Sequence, residues 1–136
     1  MWIYNNKEFI PTPDILDKCV GFVYIVTNCT TMKRYVGKKL FTMAKTKQVK
    51  GKRKKIRAPS NWQEYYGSNT QLQEDVKRLG PEHFTREILH LCKTKGQCSY
   101  WEAKEQLTRD VLLFPDLWYN QQVRCRIHRS HLKLES

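Results

Sequence analysis

GFVYIVTNCTTMKRYVGKK, residues 21–39, decides how the rest of the chain is read. Phe22 to Thr27 alternates aromatic and β-branched residues, the period of two that marks a half-buried strand. Asn28, Thr30 and Thr31 supply turn chemistry, and Arg34 to Gly37 begins a second strand that pairs back antiparallel. Tyr24 and Tyr35 then stand on neighbouring strands, where their hydroxyls converge. Two tyrosines in a hairpin do not by themselves specify chemistry. Aromatic residues favour strands in any core, so a plain core hairpin explains them equally well.

Outward from this hairpin, the charge is the next signal. The 136 residues suggest one domain, and a formal net charge of +12 points to a polyanionic partner, nucleic acid above all. That charge is local: residues 38–57 hold ten Lys or Arg and no acid. An anionic membrane is disfavoured, because the segment carries no strong apolar helix face. No apolar run is long enough to span a bilayer, and the N-terminus MWIYNNKEFIPTPD lacks the pattern of a signal peptide. The expectation is a soluble, cytoplasmic protein. Five cysteines (Cys19, Cys29, Cys92, Cys98 and Cys125) are expected as reduced thiols. Cys125, His128 and His131, with Cys92 and Cys98 further back, match no recognised zinc spacing.

Residues 1–19 form an arm whose aromatic side chains are expected to pack on the outside of the domain, with Pro11 and Pro13 preventing one continuous helix. Leu40, Phe41, Met43, Val49 and Ile56 offer anchoring for the basic insertion 38–57. Ser68 and Gln71 form a capping box that predicts a helix with Leu72, Val76 and Leu79 on its apolar face, closed by Gly80 and Pro81. Phe84 to Leu91 reads as a third strand. A second helix is predicted from Ser99 to Leu113, with Tyr100, Ala103, Leu107 and Val111 as its buried stripe. A basic tail, 122–136, closes the chain.

The order of two strands, helix, strand and helix resembles the GIY-YIG nuclease fold. Phe22-Val23-Tyr24 stands for the first signature triplet and Tyr35-Val36-Gly37 for the second, with the family's eleven-residue step between the tyrosines. Phe22 departs from the usual glycine, and Gly21 sits one place early. Tyr65-Tyr66-Gly67-Ser68, Leu79-Gly80-Pro81-Glu82-His83-Phe84 and Arg86-Glu87-Ile88-Leu89 extend the likeness, which is greatest to small phage Seg-type homing endonucleases and covers residues 20–121. The resemblance implies an α+β fold with a small three-stranded antiparallel sheet flanked by helices. It also implies a metal-dependent endonuclease acting on double-stranded DNA, with Mg²⁺ or Mn²⁺ as cofactor and a bacterial host's cytoplasm as its setting.

Carried over residue by residue, the resemblance makes Glu102 the metal ligand. Tyr35, and to a lesser degree Tyr24, would position or deprotonate the attacking water, and Asn120 would anchor the site. A phenol with its ordinary pKa near 10 needs a nearby cation to act as a base, and Lys38 and Lys39 are the candidates. Two competing roles stay open: Ser99 and Glu102 also form a capping box, and Asn120 also suits a turn. The family's phosphate-holding arginine has no direct counterpart. Lys45 occupies its usual place, Arg53 and Arg57 are the guanidiniums nearby, and Arg57 is preferred. Tyr65 or Tyr66 would stand for the family's nearby histidine or tyrosine.

Backbone contacts to DNA are expected from Lys38, Lys39, Lys45, Lys47, Lys50, Lys52, Arg53, Lys54 and Lys55, and from Arg124 and Arg126 in the tail. At this length no separate DNA-reading domain of the kind usual in homing enzymes is expected. Specificity is then relaxed, or read by the insertion and tail, or supplied by a partner. A homodimer on DNA is compatible with all three. The alternatives to this enzyme are a non-catalytic nucleic-acid-binding protein derived from a nuclease, and a nuclease for nicked or branched DNA.

Overall fold

The computed structural model describes residues 1–124 and 126–132. Its centre is the expected hairpin, with β3 at Gly21–Asn28 and β4 at Arg34–Leu40, which sets Tyr24 opposite Gly37 and Val26 opposite Tyr35. Asn28 closes the turn: its Oδ1 accepts the N–H groups of Thr30 and Thr31 at 3.0 and 3.3 Å. Such Asx geometry satisfies turn donors that no strand can reach.

The sheet has five strands and mixed pairing, where three antiparallel strands were expected. Its order is β2-β1-β7-β3-β4. β7 (Phe84–Cys92) pairs antiparallel with β3, while β1 (Trp2–Tyr4) runs parallel to β7 and β2 (Lys7–Glu8) folds back on β1. The N-terminal arm therefore contributes core rather than covering. Trp2 is 3% exposed, sits edge-on to Phe22 and Tyr24 with ring centroids at 4.9 and 5.3 Å, and donates its indole N–H to the Trp62 carbonyl at 2.8 Å. Burying one such aromatic contributes about 1.5–3 kcal/mol, enough to hold a short strand in place. The prolines act as predicted: α1 (Pro13–Lys18) starts at Pro13, with Thr12 as its cap.

Both faces of the sheet are covered, so β3 is buried on both sides rather than half-buried as its period suggests, because helices and the arm pack on the two faces. Phe22, Tyr24 and Val26 pack with Trp2, Phe9, Phe41, Trp62 and Leu72, the last from α2 (Thr70–Leu79). Val23 and Ile25 pack on the other face with Val36, Cys98 and Trp118, beneath α3 (Lys95–Thr108). Helix starts differ from prediction by a few residues. α2 is capped by Asn69, whose Oδ1 accepts the Leu72 N–H at 2.9 Å, one residue after Ser68. Thr94 caps α3, so the helix starts earlier than Ser99 and turns Tyr100 and Leu107 outward. Cys98, Ala103 and Gln106 are its buried residues.

The basic insertion is a two-stranded ribbon of β5 (Thr42–Val49) and β6 (Lys52–Pro59). Lys50 and Gly51, with φ of 51° and 75°, make its tip, the left-handed pair that a two-residue hairpin needs. Phe41 anchors the root at 3% exposure, whereas Met43 and Val49 lie open at 54% and 41%. The four described cysteines are free, and Cys125 lies outside the described residues.

Candidate active site

β4 is an outer strand, and its outward N–H and C=O groups would otherwise be bare. Three devices close that edge in succession. Arg34 exchanges backbone bonds with the 117–119 segment: its N–H donates to the Leu117 carbonyl at 2.9 Å, and its carbonyl accepts from the Tyr119 N–H at 2.8 Å. Val36 is met by the Asn120 side chain, whose Oδ1 accepts the Val36 N–H at 3.1 Å and whose Nδ2 donates to the Val36 carbonyl at 2.8 Å. Gln106 Nε2 donates to the same carbonyl at 3.0 Å. At Lys38 the backbone faces the Glu102 carboxyl and draws its pKa down against burial. One strand edge thus aligns Asn120, Gln106 and Glu102 beside Tyr35.

Tyr35, Ser68, Glu102, Gln106, Asn120 and Arg124 line an open cavity of about 320 Å³ at this edge. Tyr35 hydrogen-bonds Ser68 Oγ through its hydroxyl at 3.0 Å. The helix-cap role for Glu102 is absent: Ser99 lies within α3, and its hydroxyl accepts from Lys38 Nζ at 2.7 Å. Asn120 is tied down by its neighbour. Tyr119 accepts from Asn28 Nδ2 at 3.0 Å and donates to Asp75 Oδ2 at 2.7 Å, while its carbonyl accepts from Asn69 Nδ2 at 2.8 Å. Burial, with that donation to Asp75, pushes the Tyr119 phenol up to about 12.

Tyr24 is 1% exposed and does not line the cavity. Its ring centroid lies 6.3 Å from that of Tyr35 and 6.1 Å from that of Tyr65. A Cβ on Gly37 would come within 2.5 Å of the Tyr24 hydroxyl and 2.8 Å of the Tyr35 ring, so only glycine lets both phenols lie across β4. Burial raises the pKa of both, well above the ordinary value for Tyr24; the Ser68 bond pulls Tyr35 the other way. The lysines expected to lower these phenols face elsewhere. Lys38 Nζ bonds Ser99, and Lys39 Nζ sits 4.1 Å from the Tyr65 ring centroid. Burial also raises Glu102, against the pull of Lys38.

Arg57 does not line this cavity. It clamps the ribbon root, donating to Thr42 Oγ1 and to the Thr42 carbonyl at 2.8 Å each through Nη2. There, with Lys38, Lys39 and Tyr65, it lines a second, shallower depression of about 480 Å³. Lys45, Lys47, Lys50, Lys52, Arg53, Lys54 and Lys55 are distributed along the exposed ribbon, and Arg126 is exposed in the tail. Arg124 is the arginine at the cavity.

Sequence reading passed over three residues. Gln106 falls four residues after Glu102, which places both on one helix face and was a usable signal. Ser68 makes no helix cap, and its hydroxyl bonds Tyr35 instead. Arg86 is 5% exposed, lies between the Trp2 and Tyr66 rings, and donates through Nη1 to the carbonyls of Gln63 and Tyr65 at 2.9 Å each. It fixes the loop that carries Tyr65.

A tyrosine hairpin, a glutamate from α3 and an asparagine closing the strand edge, all meeting at one cavity, define the class as a GIY-YIG domain. Residues 2–123 match the family described as "Putative endonuclease segE, GIY-YIG domain", and the chain belongs to that family of endonuclease domains. No curated protein and no solved structure gives a significant match.

Proposed function

We propose that the protein is a divalent-metal-dependent endonuclease that hydrolyses phosphodiester bonds in double-stranded DNA, in a phage homing-type role within a bacterial cytoplasm. One observation carries the reading: Tyr35 and Glu102, distant in sequence, meet Asn120 and Arg124 at a single open cavity. A nucleic-acid-binding protein without catalysis has no use for that convergence.

The cavity fits Mg²⁺ or Mn²⁺. Glu102 is its one carboxylate, the other polar lining groups being mainly hydroxyls and amides, and no cluster of three His, Cys, Asp or Glu occurs among the described residues. A hard cation that keeps most of its waters asks for such a site: one carboxylate, and acceptors for the waters. Gln106 Oε1 is buried with no partner, and is one such acceptor. The metal, held by Glu102, would supply charge neutralisation at the phosphate. Tyr35, braced by Ser68, holds the attacking water. Its raised pKa keeps the phenol protonated at neutral pH, so it orients that water rather than removing its proton. Arg124 offers a planar fork to the non-bridging oxygens. Asn120 fixes the β4 edge, and Tyr24 fixes Tyr35 and Tyr65 from beneath. One cavity cuts one strand, so a double-strand break takes two copies or two successive cuts.

Supercoiled plasmid incubated with the protein and Mg²⁺ is the test. Nicked or linear product that disappears in chelator is the expected result. Binding without any cutting would make the protein a non-catalytic DNA binder, and cutting in chelator would remove the metal from the account.

A further inference from the structure

We propose that the β5–β6 ribbon enters the DNA major groove and reads base pairs with the face that carries Thr46, Gln48, Arg53 and Lys55. This rests on duplex DNA being the substrate, and adds how that substrate is chosen.

Three observations point to a groove rather than to the protein's own body. The ribbon is exposed along nearly its whole length beyond the root, and a Cβ added to Gly51 at its tip would meet nothing within 4 Å. A two-stranded ribbon with no packed face is marginally stable by itself, so something outside the chain must complete it. Its cross-strand pairing opposes like charges, with Lys47 directly across from Lys54. That repulsion weakens the free ribbon and is relieved by an anionic occupant. Charge therefore specifies the partner, and a two-stranded ribbon has the width that the major groove admits.

The two faces differ in chemistry. Register puts Lys45, Lys47, Val49, Lys52 and Lys54 on one face, and Thr46, Gln48, Arg53 and Lys55 on the other, with Gln48 directly opposite Arg53. Lysine is a hydrated point charge suited to phosphate. Glutamine pairs in bidentate fashion with the adenine edge, and arginine with the guanine edge. The Gln48–Arg53 face is thus the reading face, and the lysine-rich face meets the backbone.

Geometry links reading to cutting. Lys38, whose charge acts on Glu102 at the cavity, also borders the depression where Arg57 clamps Thr42 at the ribbon root. Eight residues per strand reach roughly 26 Å at about 3.3 Å per residue, close to eight base-pair steps of about 3.4 Å. The bases read should lie on one side of the cut, within about one helical turn of it.

Selection of bound duplexes from a library with a randomised centre, in chelator, tests this. The wild type is expected to enrich base pairs within that window. Arg53→Ala and Gln48→Ala should each flatten preference at their own base pair, losing roughly 5- to 150-fold in discrimination, the equivalent of about 1–3 kcal/mol. Lys47→Ala with Lys54→Ala should weaken binding evenly across sequences and reduce the slope of log affinity against log salt by about two. Unchanged preferences in both reading-face variants, or stronger binding to single strands or RNA than to duplex, would overturn the proposal while leaving the nuclease assignment standing. No duplex binding at all would instead remove the functional reading beneath it. Thermal melting of each variant, expected to match the wild type, separates lost recognition from lost fold.

Discussion

Gly37 is where residue and site are least separable. Both phenols lie within van der Waals reach of its missing side chain, so Gly37→Ala must move Tyr24, Tyr35 or β4 itself. Overpacking of this kind costs about 1–3 kcal/mol, and the expected outcome in a denaturation experiment is a loss of that size with cleavage abolished. Glu102 presents the opposite trade. Burial raises its pKa above the ordinary 4.5, so the proton is held more tightly in the folded protein than in the unfolded chain. A raised acid favours the fold below its unfolded pKa, and loses that contribution as pH rises through the folded value. At neutral pH the ionised carboxylate is therefore a liability to stability. Glu102→Gln is expected to melt at or above the wild-type temperature at pH 7, with the difference vanishing in acid. Metal binding should show the same proton in competition: affinity for Mn²⁺, followed by titration, should fall about tenfold per pH unit below the raised pKa.

Asn120 matters as part of an element, because it stands in for a neighbouring strand along β4. Asn120→Ala strips the Val36 N–H of its partner, an omission worth about 1–3 kcal/mol, and Gln106 can still serve the carbonyl. Stability measured by denaturant should fall by that amount. Asn120→Asp keeps the acceptor but sets a carboxylate oxygen against the Val36 carbonyl in a buried site, so it should recover little of it. The ribbon behaves as an element of another kind. Trimming its distal part, 46–53, should change stability by no more than about 0.5 kcal/mol, since nothing in the body packs against it. The period of β3 made its strand legible in sequence, though not the burial of both its faces, and Gly80 was legible as the stop of α2. The inward face of α3 was not. Glu102 and Gln106 are polar residues turned toward a cavity, so the apolar spacing falls instead on Tyr100 and Leu107, which face solvent. The ribbon escaped for a related reason: its lysines alternate with polar residues, leaving no hydrophobic period to read.

Over the whole molecule, the net charge of +12 is carried largely by one projecting ribbon, while the cavity lies along the edge of β4, the strand from which the ribbon springs. Affinity for duplex DNA should depend steeply on salt, falling about 10³–10⁵-fold between roughly 50 and 200 mM if about six to ten phosphates are contacted. The arm's share in the sheet was beyond reach of local pattern. Three residues joining a parallel strand more than eighty positions away leave no periodic trace, and only Trp2, buried against Tyr24, shows why they hold. The convergence of Tyr35, Glu102 and Asn120, by contrast, followed from the order of the motifs. That convergence is the central claim, and single-turnover cleavage of duplex DNA by Glu102→Gln tests it most directly. The predicted result is a rate lowered by at least about 10²–10³-fold with DNA affinity unchanged. Cleavage near the wild-type rate would contradict it, leaving the carboxylate at the β4 edge as a strand-closing group and nothing more.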